Sequence, residues 1–320
     1  MRIFSVIIFC CFQNIIWGQT NKLISAYERV IYFFSGSYDT SYIKKKPVDF
    51  IIVLKSVNYL DSYYVMTDNQ TKLNLQSDLC YNAGVSLGYK IFLLDYSYNL
   101  SNFLFPNSVK SSNMNLNIPT NFLNVELSYF INKGKTNLVG YQAPDTSFSA
   151  KYTFEGLNSK VLSVDVFYFV NHKRYANNSA YSKTFGYKQQ KNAGSFIIGV
   201  SYTRQNLFFD FSQLPINYSL SLPIFRGMYS SYSVHMGYGY NFVFHKYWLA
   251  NLSVITATGV KENETTNVSD FNFSLKLKMA IAYNRPLFFA GVNCDYTTNY
   301  NVITNSLGNF NIYVGYRFLR

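Results

Sequence analysis

The stretch Asn309-Phe310-Asn311-Ile312-Tyr313-Val314-Gly315-Tyr316-Arg317-Phe318 alternates without a break. Phe310, Ile312, Val314, Tyr316 and Phe318 share one parity, and Asn311, Tyr313, Gly315 and Arg317 share the other. Successive side chains of a strand face opposite ways, so one face is wholly apolar and the other mostly polar or small. The apolar face is aromatic at both ends and aliphatic between, the order expected of a strand crossing lipid between two interfacial girdles. A soluble edge strand shows the same alternation, so the reading depends on the rest of the chain.

The N-terminus starts Met1-Arg2, runs apolar from Ile3 to Phe12 and reaches Gly18 at a cleavage-like site. One basic residue, a short apolar core and a small residue before the cut predict a secretory signal peptide over 1–19. Bulky residues before Cys10 argue against lipidation. Beyond this segment no run approaches the roughly 18 apolar residues of a spanning helix. Yet 30 Tyr and 29 Phe accompany only 14% charged residues, an unusual balance for a soluble secreted domain. Strands wetted on one face and in lipid on the other need few charges and many aromatics. No linker divides the mature chain, so 20–47 is read as a lead-in with an amphipathic helix over 21–36, and 48–320 as one barrel.

The net charge of +12 comes from scattered basic residues in an exported chain, which argues against nucleic acid and for lipopolysaccharide phosphates or small anionic solutes as partners. Cys80 and Cys294 fall on opposite faces and are expected to be unpaired. No Gly-rich phosphate loop, metal-ligand cluster or dinucleotide fingerprint is present, so no cofactor is expected.

From Val48 onward the chain is a succession of alternating segments. Around Val234, the residues Val234, Met236, Tyr238, Tyr240 and Phe242 face one way, and Ser233, His235, Gly237, Gly239 and Asn241 the other. Such period-two repeats belong to strands. Counting back from the last strand, short links at Asn284 to Pro286, His245-Lys246, Arg204-Gln205, Glu155 to Lys160, Asn132 to Lys135 and Lys90 interleave with long ones. The long links are Thr298 to Gly308, Gly259 to Ser269, Gln213 to Tyr229, Asn171 to Asn192, Asn102 to Thr120 and Val57 to Asp78, with Ala143 to Thr146 as the one exception. Outer-membrane barrels alternate tight periplasmic turns with longer outer loops. The segments total about 14 strands, with twelve as the alternative count, in an antiparallel up-and-down transmembrane β-barrel whose termini are both periplasmic.

These stretches resemble the Bacteroides-type outer-membrane barrels catalogued as domain of unknown function 4421. The resemblance is carried by Tyr38-Asp39-Thr40-Ser41-Tyr42-Ile43, Ala83 to Lys90, Gln189 to Phe196, Gly237 to Phe244, Gly308-Asn309-Phe310 and Gly315 to Phe318, in that order over nearly all the mature chain. It implies location and fold, and it transfers no activity, ligand or catalytic residue. The barrel-assembly machinery is an implied partner, with Leu319-Arg320 extending past the usual terminal Phe.

Ser233, His235 and Asn241 share a strand face, and a Ser-His-Asn set can build a hydrolase nucleophile. Asn241 lies about 20 Å along the strand from His235, too far to orient it. A lipid hydrolase and a soluble β-sandwich binding protein therefore stand behind a non-enzymatic passive channel or structural barrel. The inward parity collects Asp95, Glu126, Asp165, Asp210, Lys276, Lys278, Asp295 and Arg317, which can line a wet channel or pair as a polar core. The segment 171–192 carries Lys173, Arg174, Lys183, Lys188 and Lys191 with no acid, and is read as a basic outer loop.

Overall fold

The computed structural model describes residues 36–45, 48–66, 72–100, 110–143, 146–148, 152–181, 186–210, 224–300 and 303–319. The expected signal peptide, the expected helix apart from Gly36, and Lys183 lie outside them. The lead-in holds a short strand β1 (Ile43–Lys45), followed by β2 (Val48–Met66), β3 (Lys72–Ser77), β4 (Cys80–Tyr89), β5 (Phe92–Asn99) and β6 (Lys110–Pro119). Then come β7 (Leu123–Ala143), β8 (Thr146–Phe148), β9 (Tyr152–Phe169), a 3-10 turn at Asn177–Ala180, β10 (Tyr187–Gln189), β11 (Ala193–Asp210) and β12 (Ile224–His245). The last are β13 (Trp248–Asn263), β14 (Val268–Asn284), β15 (Phe288–Tyr300) and β16 (Ile303–Leu319).

Fourteen of these segments form one antiparallel sheet, and it closes on itself because β16 pairs with β2 from Ile303↔Val65 to Leu319↔Val48. The expected count of about 14 holds as a count of segments. Two pairs of segments are single strands with a break. Both β3 and β4 run antiparallel to β2 (Ser62↔Gln76, Tyr59↔Cys80), and both β8 and β9 run antiparallel to β7 (Tyr141↔Phe148, Leu138↔Tyr152). Traced by its pairings, the ring is β2, β3/β4, β5, β6, β7, β8/β9, β11, β12, β13, β14, β15 and β16, which is twelve positions.

The outward parity is the lipid face. Phe310, Ile312, Val314, Tyr316 and Phe318 are each 38–50% exposed, while Tyr313 and Arg317 on the other parity are buried. Aromatic residues gather where β16, β2, β12 and β13 reach the turn end: Phe50 lies 5.4 Å from Phe318, and Phe244 stacks on Trp248. Tyr202, Tyr232, Phe273 and Tyr300 mark the other border. The thiols are unpaired, Cys80 inside and Cys294 outside.

Several strands run well past this band. β7 has 21 residues, about 70 Å of strand, whereas the apolar belt of a barrel is only about 25 Å tall. Beyond the belt the outward positions turn polar, and this local polarity imitates turns. The predicted links at Asn132 to Lys135, Glu155 to Lys160 and Arg204-Gln205 are strand interior, paired on both sides (Lys133↔Asn158, Asn206↔Lys160, Arg204↔Ser230). The long links at Val57 to Asp78, Gly259 to Ser269 and Thr298 to Gly308 are mostly strand for the same reason. The loop expected at Asn102 to Thr120 contains β6, whose inward row Asn113, Asn115 and Asn117 hid the alternation of Met114, Leu116 and Ile118.

The wall also changes width along its height. The β5–β6 hairpin fills only the end near the tight turns; above it β3 pairs directly with β7 (Lys72↔Gln142 to Ser77↔Thr136). Bulges sit at this junction, where Gly134 (φ 143) faces Leu157 before the register shifts and Val139 is left over between Gly140 and Leu138. A bulge adds twist and bends its strand, which lets two strands close over the hairpin.

The tight connections Lys90-Ile91, Lys246-Tyr247 and Arg285 to Leu287 all lie at one end with the start of β2 and the end of β16. This is the turn end. The segment 170–192 joins β9 to β11 at this same end, which corrects its assignment to the opposite side.

Lipid exposure of the β16 row yields a direct test. Ile312→Arg, in the middle of the band, should cost about 2–4 kcal/mol of stability in lipid vesicles, and Ser306→Arg, beyond the band, less than about 1 kcal/mol. Urea unfolding followed by tryptophan fluorescence measures both.

Candidate functional site

Every inward side chain of a closed barrel must find a partner or water, and at the turn end the partner is the chain itself. Residues 170–181 and 186–192 fold back into the lumen as a plug. Tyr175, Ala176, Ser179 and Ala180 are fully buried. The wall grips the plug with inward amides: Asn251 Nδ2 donates to the Tyr175 hydroxyl (2.9 Å) and to Asn241 Oδ1 (2.8 Å), and Asn251 Oδ1 accepts from Tyr181 (2.6 Å). Asn241 Nδ2 donates to Ala176 O and to Gln189 Oε1. Tyr313 donates to Ala180 O at 2.9 Å, and Asn284 Nδ2 to Ser179 O at 3.3 Å. Gly239 makes room for this seat, since a Cβ there would lie 2.6 Å from the Tyr175 hydroxyl.

The lead-in is attached to the plug. β1 pairs with β10 (Ile43↔Gln189 to Lys45↔Tyr187), and Ile43, Ala176 and Tyr187 form a small apolar cluster with Tyr38 and Tyr42 packed against it. The Asp39 carboxylate accepts from the Ser41 amide (2.9 Å) and hydroxyl (2.7 Å), which fixes the turn that aims β1. Those two bonds hold the Asp39 carboxyl below its ordinary range, so the support it gives the turn is present at neutral pH and is lost as pH falls through that lowered value. Burial lowers the Lys45 ammonium, which lies 5.0 Å over the Tyr187 ring.

The basic residues assigned to an outer loop therefore do different work. Arg174 lies 3.6 Å from Asp39 and over the Tyr42 ring, Lys191 is over the same ring, and Lys188 is over Tyr247. Lys173 is bound through its carbonyl, which accepts from the Asp39 amide at 2.8 Å. These groups tie the lead-in to the turn end and do not form an open anion loop there.

Above the plug lie two adjoining chambers of about 300 and 350 Å³. Their shared walls include Glu126, Asp165 and Lys276, so the charged residues stand at a waist between them. Glu126 and Asp165 are directly opposite each other on β7 and β9, and the Ser163 hydroxyl donates to Asp165 at 3.1 Å. Lys278 and Asp295 are opposite on β14 and β15. Lys276 reaches within 5.7 Å of the Phe167 ring on β9 and Lys278 within 4.9 Å of the Tyr181 ring on the plug, so the lumen is narrow here. Asp95 forms an ion pair with Lys55 at 3.0 Å and accepts from Asn117.

Two of the expected lumen residues differ. Asp210 shares the parity of the exposed Phe196, Ile198 and Val200 along an unbroken register, so it faces outward at the far end of β11. The parity was carried across a turn that does not exist. Arg317 is inward but spent on structure: its guanidinium lies 4.1 Å over the Phe289 ring and donates to Arg285 O at 2.7 Å, closing the last turn.

Sequence reasoning missed Lys55, Asp61 and Lys261. Asp61 is buried, accepts from the Tyr63 hydroxyl at 2.7 Å and from Asn132, and closes the second chamber with Lys261, whose ammonium lies over the Tyr229 ring. The signal for Asp61 was its parity with Val57 and Tyr59, lost by ending the strand at Ser56. Beyond it an apolar cluster that includes Tyr63, Leu73, Leu75, Leu138, Leu207 and Phe209 packs the far end of the lumen.

The Ser-His-Asn set is not assembled. His235 Nε2 is 2.7 Å from Ser201 Oγ, its ring packs edge-on against Phe167, and Asn241 is engaged by the plug. The pair points into the lumen, away from lipid substrates.

A family profile described as "Domain of unknown function (DUF4421)" matches residues 37–318. No curated protein sequence matches the chain. Similar solved structures include outer-membrane expressed OmpT of Vibrio cholerae, with 11% identity, 86% of this chain and 98% of that one covered and a TM-score of 0.33. The translocator domain of autotransporter NalP from Neisseria meningitidis is similar with 9% identity, 83% and 88% covered and a TM-score of 0.40. The CymD monoaromatic hydrocarbon channel is similar with 9% identity, 86% and 90% covered and a TM-score of 0.31.

The plug seat is testable through Asn251. Asn251→Ala removes the bonds to Tyr175, Tyr181 and Asn241 and should loosen the plug by about 2–4 kcal/mol. Hydrogen exchange across 171–192 should rise strongly while the β11–β16 wall stays protected.

Proposed function

The chain belongs to the DUF4421 family, and from that premise we propose that it is an outer-membrane channel closed at rest, with both termini periplasmic and the segment 171–192 as its removable plug. The carrying observation is the polar, charge-lined lumen directly above a plug held by side-chain hydrogen bonds. A barrel whose only role is structural gains nothing from placing Glu126, Asp165 and Lys276 at a waist between two chambers, because charges away from bulk water are costly unless paired or wetted. The lumen charges are mixed, with Asp95, Glu126, Asp165 and Asp295 against Lys55, Lys276 and Lys278. That balance favours small neutral or zwitterionic polar solutes over the anions suggested by net charge.

A second reading, a purely structural barrel, draws on the apolar cluster at the far end. Planar-bilayer recording separates the two. Wild-type protein should be mostly silent, and replacement of 175–189 by a short Gly-Ser linker should give steady unitary currents. A folded, heat-modifiable variant that stays silent would favour the structural barrel.

A further inference from the structure

One surface of the wall is charged in a way that the channel does not require. On β7, β9 and β11 the apolar outward row reaches Ile131, Leu162 and Tyr202, and the next outward residue on each strand is Lys133, Lys160 and Arg204, with Phe208 further along β11 under Arg226. All three are exposed. Each therefore stands at the same step past the lipid band. In the ladder Lys160 opposes Ile131 and Asn206, so it is the diagonal neighbour of both Lys133 and Arg204. Diagonal neighbours on one face lie about 7–8 Å apart.

The cluster is local. At the corresponding step β12 has Ser230, β13 has Glu262 and β14 has Ser269. Among the described acids, Glu264 binds Arg204 at 2.7 Å, Glu262 stands across on β13 and Asp210 lies further along β11. None of these forms an ion pair with Lys133 or Lys160. Such a row at the headgroup level, on one side of the barrel only, matches clustered phosphates set above acyl chains.

Resting on the reading of this end as the outer one, we infer that the outward face of β7, β9 and β11 beyond the band is a seat for the phosphate groups of a lipopolysaccharide-type glycolipid in the outer leaflet. The acyl chains lie along the apolar faces below, and Lys133 and Lys160 receive the phosphates with Arg204 at the flank.

Native mass spectrometry of the detergent-solubilised full chain tests this with three probes: bis-phosphorylated lipid A, the same lipid A dephosphorylated, and phosphatidylglycerol. The unmodified protein should retain bis-phosphorylated lipid A over the other two, and millimolar inorganic phosphate should not displace it. The variant Lys133→Gln/Lys160→Gln should bind it roughly thirtyfold more weakly, as the loss of two cations at a charged lipid surface implies. Equal retention of dephosphorylated lipid A or of phosphatidylglycerol, displacement by free phosphate, or an unaffected variant would each overturn the inference. Heat-modifiable migration on a gel checks that the variant is folded. Failure of the unmodified protein to form a heat-modifiable barrel sinks the outer-membrane reading itself, whereas a folded barrel indifferent to phosphate sinks only the glycolipid seat.

Discussion

Backbone amides and carbonyls in hydrocarbon have no water to bond, and an open sheet edge there would leave a row of them unsatisfied. The pairing of β16 with β2 is what removes that edge, and everything else depends on it. Closure fixes parity, and parity assigns every side chain to lipid or to lumen. The outward row can then be as apolar as lipid demands, which is why so few charged residues and so many aromatics suffice for the wall.

Closure also creates an interior that has to be occupied. The protein fills it three ways along its height. At the turn end Asn241, Asn284 and Tyr313 exchange water for the carbonyls of Ala176, Ser179 and Ala180, and Asn251 for the hydroxyls of Tyr175 and Tyr181. In the middle, mixed charges and serines surround two chambers large enough for water. At the far end, leucines and aromatics close the space with a mostly apolar cluster. The narrowing of the wall where β3 meets β7 brings those apolar residues within reach of one another.

Much of this was legible from alternation. The lipid face of β16, the strand around Val234, the turns at Lys90, Lys246 and Arg285, and the inward placement of Asp95, Glu126, Asp165, Lys276, Lys278 and Asp295 follow from period-two patterning. Strand ends did not, because polarity reports the border of the lipid as well as the border of a strand. Lys133, Lys160 and Arg204 read as turn residues when they mark where the wall leaves the membrane. The error then propagated: a false turn at Arg204 moved Asp210 to the wrong face, and a strand stopped at Ser56 hid Asp61. The plug was invisible for another reason. Its segment is long and polar like a loop, and only the partners across the barrel, more than 50 residues away in sequence, reveal that it is folded inward.

The partners of the plug have a consequence for biogenesis. Ala176 waits for Asn241, Ser179 for Asn284 and Ala180 for Tyr313, while β1, among the earliest segments made, waits for β10. Contacts of such sequence separation form late, since the entropy of closing each loop precedes the contact's reward. The stopper can thus be seated only as the last strand docks. During insertion the nascent barrel is unsealed, and the moment of its sealing coincides with the completion of its circumference.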